Sequence, residues 1–73
     1  MTTEEKIALL EEIMDVEEGT LKLEDELNGF DEWDSLSALA YIAEVRSRFN
    51  KTVTGDELKR FVTVSDAVEA MEP

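Results

Sequence analysis

Residues 31–50 read DEWDSLSALAYIAEVRSRFN. At about 100° per residue, Ala38, Ile42, Val45 and Phe49 fall on one side of a helical wheel, with Leu39 and Tyr41 flanking them. Leu36, Ser37, Ala40, Ala43, Glu44 and Ser47 fall on the other side. The spacing predicts a helix from Ser35 to Phe49, and the residues before it supply its start. Asp34 stands at the N-cap, where its carboxylate accepts from the backbone N–H of Leu36 or Ser37. Trp33, one residue earlier, is placed to pack over Ala38 as a hydrophobic staple. Ser35 then becomes the first helical residue, with its hydroxyl pointing outward past the helix end.

The flanking sequence extends this pattern in both directions. Ile7, Leu10, Ile13 and Met14 recur at three- and four-residue spacing, with Glu4, Glu5, Glu11 and Glu12 between them, so residues 4–14 are predicted as an amphipathic helix capped by Thr3. Gly19 marks a break. From Glu17 to Asp34 the periodicity fades, and Leu21, Leu23, Leu27 and Phe30 stand among acids around an Asn28-Gly29 turn signal. This is a long connecting loop pinned to the core by its scattered apolar residues. Residues 56–61 are expected to make a short helical turn or 3₁₀ piece presenting Leu58 and Phe61. A last helix begins at Thr63, with Asp66 three residues on, and buries Val64, Ala67, Val68 and Met71. The fold class is all-α: a small four-helix bundle, three main helices and one short one, with a long loop between helices one and two. Residues 1–73 form a single domain.

Charge narrows the partners. The chain carries 19 acids against 7 bases, a net charge of -12. Thirteen of the acids, against Lys6 and Lys22 alone, precede Ser35, giving that part -11; the remainder, with six acids and five bases, carries -1. Such a chain repels nucleic acid and anionic membrane, and is steered toward positively charged protein surfaces. No apolar run approaches the ~18 residues of a membrane span, and the N-terminus lacks a signal-peptide pattern. A soluble, cytoplasmic, monomeric protein is expected.

The residue inventory argues against an enzyme. Without His or Cys, the Ser–His, Cys–His and His-ligated zinc arrangements cannot be built. Carboxylates abound, but a general acid needs a pocket that raises its pKa, and a domain this small has little room for one. Glu24, Glu26, Asn28, Gly29, Phe30 and Glu32 imitate the spacing of a calcium loop, yet its last position is Ser35 where the bidentate Glu is required. No metal site is expected. The start of the second helix, by contrast, tolerates a phosphate: its N–H groups and partial positive charge would offset part of the charge of a phosphodiester on Ser35.

Taken in order, these features resemble the acyl carrier proteins and the similar peptidyl and D-alanyl carrier proteins. The resemblance rests on Asp34-Ser35-Leu36 opening a helix that ends at Phe49, followed by Val53, Phe61, Thr63-Val64, Ala67 and Val68, and preceded by an Ile/Leu-rich helix and an acidic loop with Leu23 and Leu27. It implies that a phosphopantetheinyl transferase attaches 4′-phosphopantetheine, from coenzyme A and with magnesium, to Ser35. The thiol of the arm would carry acyl or aminoacyl groups as thioesters between loading and acceptor enzymes. Asp34, Leu36 and Trp33 would border the attachment site, and Leu36, Ala40, Ala43 and Ser47 would contact partners. In the fatty-acid members the second helix is rich in acids; here only Glu44 is acidic beyond Asp34, and Arg46 and Arg48 add positive charge. With Trp33, this resembles specialised freestanding carriers, D-alanyl and aminoacyl ones included. The alternative is a carrier-like helical module that stays unmodified and acts only in protein–protein interaction.

Overall fold

A computed structural model describes residues 1–72. Four helices follow one another: α1, Thr3–Met14; α2, Ser35–Phe49; α3, Gly55–Lys59; and α4, Val64–Glu69. A 3₁₀ turn, Leu27–Gly29, interrupts the loop between α1 and α2. The all-α bundle expected from the sequence is the observed fold, although α4 is a six-residue helix and Met71, its last core residue, lies beyond its end.

Local chemistry sets the helix ends. Thr2, rather than Thr3, caps α1: its hydroxyl accepts from Glu5 N–H at 3.1 Å, and the Glu5 carboxylate accepts from Thr2 N–H at 2.9 Å. The box requires an acid three residues after the cap, which Thr2 has and Thr3, followed there by Lys6, lacks. Asp15 and Asn50 end α1 and α2 in the left-handed region, with φ of 58° and 53°. Thr63 and Asp66 form the expected capping box of α4, and Asp66 also accepts from Val62 N–H at 2.8 Å.

α1 packs against both α2 and α4. Leu10, Met14, Leu27, Val45, Val53, Val64, Ala67, Val68 and Met71 fill the space between, as does Tyr41, which is fully buried. Its ring meets Trp33 and Phe61 edge-on, with centroids 5.9 and 5.7 Å apart, and its hydroxyl donates to the Ala67 carbonyl at 2.6 Å. One side chain thus ties α2 to α4 through both packing and a satisfied buried hydroxyl. Burial raises the Tyr41 pKa above the ordinary phenol value, and the nearby Glu57 charge adds to the shift.

The long loop is held by its buried leucines and also by its backbone. Leu27 N–H donates to the Val62 carbonyl at 2.9 Å, Val64 N–H to Asp25 at 2.9 Å, and Ser65 N–H to Leu23 at 3.0 Å. An isolated antiparallel bridge, Glu26 to Thr63, lies within this ladder. Leu21 and Leu27 are buried and Phe30 is half-buried, but Leu23 faces solvent. Glu11 is a second correction. It belongs to the acidic set of α1, yet it is 3 % exposed, and its carboxylate accepts from the N–H groups of Gly19 at 2.8 Å and Leu21 at 3.0 Å. Burial is tolerated because both bonds reach an ionised acceptor.

Candidate functional site

The N-terminus of α2 is built by its cap. Asp34 Oδ1 accepts from Ser37 N–H at 3.0 Å, and the Asp34 carbonyl accepts the first helical bond, from Ala38 N–H at 2.9 Å. The Ser37 N–H holds the Asp34 carboxyl below the ordinary carboxylate range. Ser37 is a buried residue whose hydroxyl donates to the Glu32 carbonyl, locking the approach to the helix. The wheel put Ser37 on the outer face; the need to bury the whole Tyr41 ring rotates the inward arc toward Ser37, Tyr41 and Val45. Trp33 is half-buried, and its ring meets Tyr41, two turns along, edge-on.

Ser35 stands in the remaining position. It is exposed, and among the described residues its hydroxyl makes no hydrogen bond. It therefore sits in solvent at the positive end of a 15-residue helix, with its rotation unhindered by a partner. That donor set suits a phosphate ester: a hydroxyl open to another enzyme, backed by helix-start N–H groups that offset negative charge. Among the described residues, no group of three or more Asp or Glu side chains converges to hold a metal ion, and no helix is long and apolar enough to cross a membrane.

Around Ser35 the surface has two parts. Leu36 is 78 % and Leu39 65 % exposed, and both continue into exposed Ala43, Arg46 and Ser47 along one ridge of α2. Leu39, placed by the wheel beside the inward face, belongs to this ridge because the arc turned toward Tyr41. On its α1 side runs a groove of about 450 Å³ lined by Ile13, Met14, Asp15, Glu32, Asp34, Leu36, Ser37 and Ala40. Ala40 is half-buried in that groove and less open than Leu36, Ala43 or Ser47. Its acidic rim continues at Glu12 and Glu44. The structure thus brings Trp33, Asp34, Ser35 and Leu36 together at one helix start, with the candidate partner contacts along the same helix.

Comparison with known proteins adds one finding. A family described as "Phosphopantetheine attachment site" matches residues 7–71, so the match spans all four helices except the first turn of α1. No curated protein and no solved structure matches.

Proposed function

We propose, for a chain that belongs to the phosphopantetheine-attachment family, that Ser35 is the residue to which 4′-phosphopantetheine is covalently joined. The family membership establishes a phosphopantetheine carrier, and carriers of this kind do no catalysis themselves. The observation that carries the assignment to Ser35 is its hydroxyl: exposed, without a hydrogen bond among the described residues, and at the first position of a capped 15-residue helix. Ser37, its nearest hydroxyl neighbour, is buried and already committed to Glu32.

When bound, the arm supplies a terminal thiol that holds acyl or aminoacyl groups as thioesters. This chain contributes the anchor, the cap that rigidifies it and the surface on which enzymes dock. In the attachment step Ser35 Oγ forms the new bond to phosphorus, adenosine 3′,5′-bisphosphate leaves coenzyme A, and the hydroxyl proton passes to a base of the transferase. This chain, without His or Cys, cannot build a Ser–His or Cys–His pair to activate the serine itself. The reading extends to a carrier serving dedicated loading and acceptor enzymes, because the exposed ridge of α2 is apolar and ends in Arg46, where a uniformly acidic helix would fit standard basic partners. Leu36, Ala43 and Ser47, with Ala40 at the groove edge, are its contact residues.

The test is conversion of the purified chain by a phosphopantetheinyl transferase with coenzyme A and magnesium. Intact mass should rise by one phosphopantetheinyl unit in the parent protein and stay unchanged in Ser35→Ala. Failure of several active transferases to change the parent mass would favour an unmodified interaction module.

A further inference from the structure

Tyr41 occupies the middle of the bundle. α1 packs against both α2 and α4, and the Tyr41 side chain crosses the remaining space from α2 to α4. Its ring is fully buried and meets Trp33 and Phe61 edge-on, while its hydroxyl donates to the Ala67 carbonyl at 2.6 Å. Leu10, Val45, Val64 and Met71, also without exposed surface, belong to the same cluster. Tyr41 follows Ser35 by less than two turns of α2, a rise of ~9 Å, so it stands within reach of a tail folding back from the anchor.

We propose that Tyr41 closes the interior of the bundle to the carried group, so that this chain serves cargo that is short or polar and stays in water at the end of the arm. A packed interior has no spare volume, and extra methylenes force its side chains off their rotamers. An alkyl tail enters only by displacing the Tyr41 ring, which gives up both edge-on contacts and breaks the bond to the Ala67 carbonyl. The groove beside Ser35 is no substitute. It opens to solvent between Asp15, Glu32 and Asp34, where an alkyl tail remains wet. A long acyl group left in water keeps its apolar surface exposed, whereas an acetyl-sized or aminoacyl group loses little by remaining there. Tyr41 is thereby a specificity-determining position for the cargo, distinct from the residues that build the anchor.

This inference rests on Ser35 carrying the arm, and the test separates the two. The chain is first converted with coenzyme A and magnesium. It contains no Cys, so the arm thiol is the one thiol of the converted protein and takes a methyl, hexyl or decyl tail from the matching alkyl methanethiosulfonate. The three tailed proteins should melt within about 1 °C of one another, because the tail gains nothing from the folded state. The methyl resonances of Leu10, Val45 and Val68 should coincide in all three. A tail stored inside would instead raise the melting temperature by roughly 6 °C for each added pair of buried methylenes. Such a rise, or shifts of those methyl resonances that grow with tail length, overturns the proposal. Tyr41→Leu removes the hydroxyl and part of the ring volume, so its decyl form should melt several degrees above its methyl form. Equal melting of those two forms removes Tyr41 as the closing residue, and the parent series decides the proposal if the variant does not fold. No conversion of the parent by coenzyme A removes the Ser35 assignment, and this inference with it.

Discussion

Replacing Glu11 perturbs the part of the fold that α1 alone cannot explain. Its carboxylate, 3 % exposed, holds the N–H groups of Gly19 and Leu21 at 2.8 and 3.0 Å and so fixes where the long loop leaves α1. Hydrogen bonds to a charged acceptor contribute about 1.5–3 kcal/mol each. In Glu11→Ala, water can replace the carboxylate at exposed Gly19, but the Leu21 donor is buried and loses its partner. One bond in full and a fraction of the other amount to about 3 kcal/mol. A domain of this size has a total stability near the low end of about 5–15 kcal/mol, so the loss is a large part of it. The melting temperature should fall by roughly 12 °C or more, at about 4 °C or more per kcal/mol. Glu11→Gln keeps an acceptor oxygen and loses only the charge, which gives an intermediate loss of about 1 kcal/mol. Urea unfolding followed by circular dichroism measures both, and amide exchange locates the effect, with Leu21 N–H exchanging faster in Glu11→Ala. If both variants stay within about 0.5 kcal/mol of the parent, or if Leu21 exchange is unchanged, Glu11 is not the clamp described.

Four further outcomes follow from the same geometry. Tyr41→Phe removes the bond to the Ala67 carbonyl with no change in packing volume and should cost about 1–3 kcal/mol by denaturant unfolding; a silent substitution would mean the hydroxyl is not buried against Ala67. Because the folded pKa of Tyr41 lies above its unfolded value, that group stabilises the fold below about pH 10 and ceases to as pH rises further, so tyrosinate absorbance should appear together with unfolding and not before it. Asp34 and Asp66 are held below the ordinary carboxylate range by N–H donors, Ser37 for the first and Thr63 and then Val62 for the second. Their caps therefore support the fold above their unfolded pKa near 4 and fail as pH falls through the lower folded values, and the doubly substituted Asp34→Asn, Asp66→Asn protein should show a flatter acid limb in its melting curves. Ser35→Ala, at an exposed hydroxyl without a bond, should leave the unfolding midpoint unchanged.

The helices were legible in the sequence because their signals are local: spacing for α1 and α2, the Thr63–Asp66 box for α4, and Asp34 as a cap. The α4 stripe of Val64, Ala67, Val68 and Met71 is buried as its spacing implies. Glu11 was not legible, since a carboxylate three residues from its helix end looks like any other on an acidic face, and only the returning backbone of Gly19 and Leu21 changes its role. The rotation of α2 was hidden for a similar reason. An apolar count treats Tyr41 as a flank, whereas the ring volume and the hydroxyl partner at Ala67 make it the centre, moving Ser37 inward and Leu39 outward. The ladder between residues 23–27 and 62–65 is made by main-chain groups, which carry no side-chain signature. At the site, Trp33, Asp34, Ser35 and Leu36 are neighbours in sequence, so their proximity was assured; what folding adds is the open hydroxyl of Ser35 and the closed one of Ser37.

The most direct measurement is fragmentation mass spectrometry of the chain purified from its own cells. The peptide containing Ser35 should carry one phosphopantetheinyl group, with the ester on Ser35 itself. Protein found wholly at its unmodified mass, or a group located on Ser37, Ser47 or Ser65, would contradict the assignment of Ser35 as the anchor of the arm.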